Sequence, residues 1–209
     1  MAKTITRLFD NYSDAKNAVL ELHGAGVAED DISIVANNSD DSHGIHGDVN
    51  RDGDVSRGAS TGAAIGGVGG LLAGLGLLAI PGLGPIVAAG WLVSTVAGAG
   101  IGAIGGAATG SLVGALKDAG HTDEEANVYS EGVRRGGTLV SARVSDYVRS
   151  QAESILDRNK PVDARTRGEA YRKTGWTSFD DKAPAYTGDE VERERSLYGD
   201  VSARNRPVN

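Results

Sequence analysis

The sequence predicts an α+β fold in which a small domain is interrupted by a long, uncharged helical hairpin rich in glycine. Two observations lead to this prediction. Strand and helix patterns alternate in residues 3–36 and again in residues 122–166. Between them, from Arg57 to Lys117, lies a run without one ionisable side chain, in which glycine recurs every four residues. A period of four belongs to helix packing, so this run predicts helices.

The first β-α-β unit is predicted from residues 3–36. Residues 3–9 are rich in β-forming types, and capping residues at Asp10 and Asn11 precede a helix. Apolar residues recur in that helix at helical spacing: Ala15, Ala18, Val19 and Leu22. Gly24 and Gly26 then end it, and residues 31–36 read as a second strand.

The second unit follows the uncharged run. Thr122 is predicted to begin a helix, residues 138–144 form a strand, Asp146 opens another helix, and residues 162–166 form a final strand. Together the two units predict a four-stranded sheet with helices on one face, the split β-α-β or ferredoxin-like arrangement. The helix that begins at Thr122 is additional to the minimal form of that arrangement.

The C-terminal tail turns polar from Gly168 and shows no sustained periodicity, which predicts a mostly flexible segment. Thr187 and Glu190 have the spacing of a capping box before a short helix. Three aromatic residues could dock the tail on the domain: Trp176, Phe179 and Tyr186. The predicted division of the chain is 1–40 and 118–167 for the two halves of the α/β domain, 41–57 for an acidic linker, 58–117 for the hairpin and 168–209 for the tail.

The hairpin is predicted to turn at Pro81, Gly82, Gly84 and Pro85, where the prolines break helices and the glycines permit a tight reversal. The glycines in the four-residue register are the predicted helix-packing residues: Gly58, Gly62, Gly66, Gly70, Gly74, Gly90, Gly98, Gly102, Gly106, Gly110 and Gly114. Each glycine in an exposed helix costs about 1 kcal/mol relative to alanine. Close contact between helices is the compensation, as at small-residue interfaces in lipid.

Two partners fit such a hairpin. The run is long enough for two membrane-length helices, so we expect association with membrane lipid. The alternative is a soluble homo-oligomer, structural or ligand-sensing, with the hairpin buried between subunits. Residues 1–10 carry charges and lack the apolar stretch of a signal peptide, which predicts a cytoplasmic α/β domain associated with the inner membrane through the hairpin.

The composition argues against several function classes. A net charge of -7 does not suit a nucleic-acid binder, which needs a basic face. The local group of Arg134, Arg135, Arg143 and Arg149 is interpreted as a solvated face. Cysteine is absent, which removes disulfides and thiol catalysis. Since no nucleophile, base and orienting acid group together in the sequence, we expect no enzymatic activity.

One stretch has the pattern of a calcium loop. Asp48, Asn50, Asp52 and Asp54 place oxygen ligands at alternate positions, with Gly53 at the sharp turn. Ala59 stands where the bidentate acidic ligand belongs, so an acidic flexible linker is the favoured interpretation. Calcium is the one cofactor that this pattern suggests. Nearby histidines, His43 and His46, are interpreted as solvated, and His23 and His121 as helix-end residues.

Two stretches carry a resemblance to a known family. Leu8 to Asn11, Ala15, Leu20, Gly26 and Asp30 to Ala36 resemble the general stress protein 17M-like family, also called the heat-induced stress protein YflT domain. Glu131 to Val140 resembles the second half of its longer glycine-zipper members. The resemblance implies a bacterial protein connected with general stress. It carries over no catalytic residues and names no ligand.

Overall fold

The computed structural model describes residues 3–40, 72, 75–102 and 111–204. There, seven α-helices and one five-stranded antiparallel sheet form a mixed α+β fold. The strands are β1 (Lys3–Phe9), β2 (Ile32–Asn37), β3 (Gly76–Ile80), β4 (Gly84–Gly90) and β5 (Thr138–Val144). The helices are α1 (Tyr12–Gly24), α2 (Trp91–Gly102), α3 (Leu112–Asp118), α4 (Asp123–Arg134), α5 (Asp146–Arg158), α6 (Ala164–Lys173) and α7 (Gly188–Arg204).

The sheet has the strand order β1-β5-β2-β4-β3. Strand β5 lies between β1 and β2 and is antiparallel to both, so β1 and β2 run parallel without touching. Ala142 of β5 faces Ile5 of β1 on one side and Ile32 of β2 on the other. The first β-α-β unit is therefore split by a strand that comes from the far half of the chain.

Helices cover both faces of the sheet, and the prediction of helices on one face is wrong. Ile5 and Phe9 of β1 pack into an apolar cluster with α1 and α5. Leu8, which points the other way, packs with α2, α3 and α4. All six residues of β2 are buried, as expected for a strand enclosed on two sides. Each large apolar side chain buried in this way contributes about 1.5–3 kcal/mol.

Residues 76–80 and 84–90 form a β-hairpin, so the prediction of helices on both sides of the turn is wrong for these residues. The reversal lies at Pro81, Gly82 and Leu83, and the other two predicted turn residues, Gly84 and Pro85, begin β4. Gly82 and Gly84 have positive φ, +75° and +79°. Strand β4 is drawn into the sheet because its middle residues, Ile86 to Ala89, are buried beside β2. Gly90 permits that contact, since a Cβ there would lie 2.1 Å from the Ile32 carbonyl oxygen.

The final predicted strand, residues 162–166, is also wrong. It is reduced to one bridge, in which the Val162 amide donates to the Leu8 carbonyl at 2.7 Å. The Asp163 side chain then accepts from the Thr166 amide at 2.7 Å and caps α6, so helix replaces strand. Beyond α6 the described chain continues to Arg204 and contains α7, which begins after the capping box that the sequence predicts at Thr187 and Glu190.

Candidate functional site

The predicted helix-packing glycines fall partly within the described residues. Gly90 ends β4, Gly98 and Gly102 lie in α2, and Gly114 lies in α3. The others are outside the described residues, as are the predicted calcium ligands: Gly58, Gly62, Gly66, Gly70, Gly74, Gly106 and Gly110, with Asp48, Asn50, Asp52 and Asp54. Their roles stay predictions. No helix within the described ranges is long and apolar enough to cross a membrane.

A buried polar cluster surrounds Thr6 on the face of the sheet that α4 covers. A hydrogen bond of 2.7 Å joins the Thr6 hydroxyl to Nε2 of His121, and another of 2.9 Å joins it to the Ser141 hydroxyl. The Tyr129 hydroxyl donates to the Thr6 carbonyl at 3.2 Å, and its ring meets the His121 imidazole edge-on. The cluster fixes the turn between α3 and α4 on β1.

The surroundings shift the titration of this cluster. Burial lowers the pKa of His121, partly opposed by the nearby Glu125 carboxylate. Burial also raises the pKa of Tyr129 to about 12. Burial acts to raise the pKa of Glu125, but hydrogen bonds from the Thr122 amide and hydroxyl outweigh it and leave that pKa lowered. The imidazole is therefore held neutral beside a charged carboxylate.

Thr6, His121 and Glu125 are the residue types of a nucleophile, a base and an orienting acid, but their geometry does not suit nucleophilic attack. The His121 Nδ1 atom lies 3.9 Å from the Glu125 carboxylate, beyond hydrogen-bond reach. The Thr6 side chain is 1% exposed, and its hydroxyl is shared with Ser141. The hydroxyl is enclosed by the folded chain, and its hydrogen bonds join β1, β5 and His121.

The cleft beside this cluster, of about 530 Å³, lies between the start of α4 and the chain that enters α6. Five of the six charged side chains that line it are engaged with groups of this chain. Arg7 donates to Asp157 at 2.9 Å, Asp163 caps α6, and Glu124 pairs with Arg172 at 2.5 Å. In the described part of the chain, no three acidic or histidine side chains gather as they would around a metal ion.

The most extensive polar constellation joins the C-terminal strap, which we define as residues 176–198, to the domain. Arg135 is at its centre and donates to Glu131 at 2.7 Å and to Glu194 of the strap at 3.2 Å. Its guanidinium also lies 4.3 Å from the ring centroid of Tyr171. Glu131 is 1% exposed and Arg135 is 9% exposed, so this is a buried ion pair with the Tyr171 ring against its guanidinium.

Two further arginines repeat the arrangement. Arg134 donates to the Pro184 carbonyl at 2.8 Å and lies 4.9 Å from the Tyr186 ring centroid. Arg167 makes two bonds of 2.8 Å to the Asp10 carboxylate and lies 3.8 Å from the Tyr198 ring centroid. Burial acts to lower the pKa of Arg135 and Arg167, but the carboxylates paired with these arginines outweigh it and leave both pKa values raised. Both guanidinium groups stay charged.

The interpretation of the local arginines as one solvated face is therefore wrong for two of its four members. Arg134 and Arg135 bind the strap. Arg143 is half-exposed, donates to Asp31 at 3.0 Å and lies 5.0 Å from the Trp91 ring centroid. Arg149 makes a helix-surface pair with Glu153 at 2.8 Å. Sequence alone did not separate the four, because their burial depends on where the strap lies.

The strap docks on one end of the sheet, where three glycines of the domain and one of the strap permit close approach. Added Cβ atoms would lie 2.9 Å from Phe179 at Gly82, 2.7 Å from Ala185 at Gly84 and 2.6 Å from Val191 at Gly136. At Gly188, a Cβ would lie 3.0 Å from the Ser39 carbonyl. The capping-box contacts of Thr187 and Glu190 are present, with the Thr187 amide donating to Glu190 at 2.8 Å. Phe179 also donates its amide to Asn127 at 3.0 Å.

Comparison with known proteins gives one match. The family model described as Heat induced stress protein YflT domain matches residues 4–80. A search of curated proteins and a search of solved structures found no match. Within residues 4–80, strands β1, β2 and β3 do not pair with one another, because each pairs only with β4 or β5. Residues 4–80 are thus similar to the YflT domain, and their sheet is completed by the rest of the chain.

Proposed function

We propose that this protein is a non-catalytic component of the general stress response, whose α+β domain presents a glycine-rich segment that packs against copies of itself. The family match over residues 4–80 supports the stress-response part.

The observation that carries self-association is the four-residue register of glycine in a run without charges. Gly98 and Gly102 lie one turn apart in α2, and Ser94 extends the same register one turn toward the start of that helix, whereas Gly90 ends β4. A helix face made of small residues lets another helix approach closely. Without such a partner, each of these glycines would cost about 1 kcal/mol relative to alanine.

The sheet favours assembly between copies over a membrane hairpin. The predicted hairpin needed helix on both sides of Pro81–Pro85, and residues 76–80 and 84–90 are strands instead. Strand β4 is bonded to β2 in a continuous register and is buried there, so it is not available to a lipid-crossing helix. The uncharged run is thereby interrupted in its middle.

Sedimentation velocity of the full chain tests the proposal. Gly98→Leu fills the small-residue face, whereas Ala99→Leu adds a similar side chain one position off the register in the same helix. We expect the wild type and Ala99→Leu to form the same assembly and Gly98→Leu to lose it. Assembly that survives equally in both variants, or a wild type that is monomeric at every concentration, would refute self-association through this face.

Membrane association is the second candidate, supported by the length of chain between Arg57 and Lys117 that carries no charge. Flotation with phospholipid vesicles, followed by carbonate washing, separates the two. Protein that floats and resists the wash supports membrane association, and protein that stays at the bottom of the gradient as a discrete oligomer supports assembly. Calcium binding at Asp48, Asn50, Asp52 and Asp54 is a separate proposal, which calorimetric titration with calcium tests.

A further inference from the structure

We propose that the outer edge of β3 pairs with the same edge of a second copy of this chain, so that two five-stranded sheets join into one. This surface is separate from the small-residue face of α2 and does not depend on it. The basis of the proposal is the direction of the β3 backbone groups, the difference between the two edges of the sheet, and the symmetry of the strand.

The backbone groups of β3 alternate between β4 and the outer edge of the sheet. The Pro85 carbonyl of β4 accepts from the Asn38 amide at 2.9 Å, so Pro85 faces the side of β2. The next residue of β4 therefore faces β3, where its register partner is Leu78. Leu78 thus directs its amide and carbonyl to β4. Its neighbours Leu77 and Ala79 direct theirs away from the sheet.

The two edge strands differ in how their outer backbone groups are used. On β1, the Thr6 carbonyl accepts from the Tyr129 hydroxyl, and the Leu8 carbonyl accepts from the Val162 amide at 2.7 Å. Strand β1 also carries a lysine and an arginine, whereas β3 contains only glycine, leucine, alanine and isoleucine. Among the residues that the structure describes, none bonds to the outward groups of β3. Charge or cover normally keeps an edge strand from pairing with another chain, so β1 is protected and β3 is open to a further strand.

The strand is symmetric with respect to these outward groups, which makes a second copy a fitting partner. In an antiparallel pair centred on Leu78, Leu77 of one copy lies opposite Ala79 of the other. These are the two residues that direct their backbone groups outward. Each strand then uses both outward amides and both outward carbonyls in four hydrogen bonds between the copies.

The side chains at this edge also favour a second copy over a charged peptide. Leu78 and Ile80 are only partly buried where they pack on the apolar cluster beneath α2, so that cluster is open at the edge. Pairing brings the two Leu78 side chains together as an apolar cross-strand pair. Between Arg57 and Lys117 the chain has no ionisable side chain, so β3 itself offers no counter-charge to a charged peptide.

Single cysteines test the register, because the chain has no cysteine of its own. In the proposed pair, the Leu78 residues of the two copies face each other as a non-hydrogen-bonded pair, with Cα atoms about 4.5 Å apart, within disulfide range. Ala79 faces Leu77 instead. Leu78→Cys in the full chain should therefore form a covalent dimer on mild oxidation roughly tenfold faster than Ala79→Cys, although Ala79 is the more exposed position. Non-reducing gel electrophoresis measures both rates.

A second pair of variants tests whether the outward groups are used. Ala79→Pro removes an outward amide but leaves pairing with β4 intact, since proline is tolerated where an edge strand faces away from its neighbour. Ala79→Val keeps that amide and is the matched control. Hydrogen–deuterium exchange is measured at several protein concentrations. We expect residues 76–80 to gain protection with concentration in the wild type and in Ala79→Val but not in Ala79→Pro, with β2 and β5 equally protected in all three.

Two results would overturn edge pairing. One is equal cross-linking rates for Leu78→Cys and Ala79→Cys, which would show that the copies do not meet in this register. The other is protection of residues 76–80 that is the same at every concentration, which would show that the chain itself covers the edge.

Adding Gly98→Leu to Leu78→Cys separates edge pairing from the proposed function. Fast cross-linking that persists in this double variant supports edge pairing even if the small-residue face of α2 proves not to assemble. If Gly98→Leu alone abolishes assembly while Leu78→Cys alone never cross-links, edge pairing is overturned and the proposed function stands.

Discussion

The face of the sheet under α1 and α5 and the C-terminal strap are held to the rest of the domain by different interactions. Under α1 and α5 the sheet is covered by aliphatic and aromatic side chains such as Phe9, Leu22 and Ile155, all fully or almost fully buried. At the strap, guanidinium groups lie between carboxylates and tyrosine rings, and one valine is fully buried. The apolar face gains stability from the area that it removes from water. The strap contacts instead fix the orientation of the strap, because charge-assisted hydrogen bonds depend on geometry.

This difference predicts which part of the molecule a substitution destabilises. Loss of apolar area lowers the free energy of unfolding of the whole domain, since the cluster under α1 and α5 joins β1, β2 and β5. Loss of a strap contact lowers the free energy of opening of the strap, and reaches the domain only where a charge is left buried.

Phe9→Ala should have the largest effect. The side chain is completely buried between β1 and the helices above it, and its removal should cost about 3–5 kcal/mol of unfolding free energy. Urea denaturation followed by circular dichroism measures it, with Leu20→Ala, a partly exposed residue of α1, as the control. A cost below about 1 kcal/mol for Phe9→Ala would mean that this cluster is not the stabilising core.

Arg135→Leu should come next. The substitution leaves the Glu131 carboxylate buried without its nearest cation, which should cost about 3 kcal/mol and also release Glu194 of the strap. Arg149→Leu is the matched control, because its pair with Glu153 is a half-exposed helix-surface contact worth about 0.3–0.5 kcal/mol. Denaturation and hydrogen exchange together should show both global and strap effects for Arg135→Leu. Equal costs for the two arginines would contradict the difference between buried and surface pairs.

The apolar face under α1 and α5 is the part of the domain that the sequence predicted best. Ala15, Ala18, Val19 and Leu22 recur at helical spacing and are all buried in α1. Their period is fixed by local geometry, so one helix can be recognised without knowing its neighbours. The predicted strands that became β1, β2 and β5 also occur, because alternation and β-branched residues mark them locally.

The β3–β4 hairpin was missed for the opposite reason. Its sequence, rich in leucine, alanine and glycine, also fits a helix, and a short apolar run has no period that decides between the two. Pairing with β2 decides it, and that contact is distant in sequence. Gly82 and Gly84 themselves were the available signal, since glycines that permit a tight reversal also fit a turn between strands.

The arginine contacts of the strap and the Thr6 cluster were missed because each joins residues far apart in the chain. Thr6 and Ser141 come from neighbouring strands, and His121 from the turn between two helices. Arg135 and Glu194 are separated by 59 positions. Charged and hydroxyl residues have no periodicity that reveals such partners. The spacing of Thr187 and Glu190 was the local sign that the tail was ordered.

A smaller effect should sharpen the comparison, since the same capping box occurs in the domain and in the strap. Thr122 caps α4 and Thr187 caps α7, each through a glutamate three residues on. Replacing either threonine by alanine should cost about 1 kcal/mol of helix stability. Thr122→Ala should lower the urea midpoint of the domain, and Thr187→Ala should instead speed hydrogen exchange in the strap alone. A lower midpoint for Thr187→Ala would show that the strap unfolds together with the domain.

The smallest expected effect depends on pH and concerns the Thr6 cluster. Burial holds the pKa of His121 below its ordinary value, with Glu125 opposing this and Arg7 reinforcing it, while Tyr129 stays neutral. The unfolded chain therefore takes up this proton more readily, and the free energy of unfolding should fall as pH falls through about 6.5 toward the folded pKa. Urea midpoints between pH 7.5 and pH 5 measure this fall. His121→Gln should show a shallower fall, and equal slopes for the variant and the wild type would mean that His121 carries no such linkage.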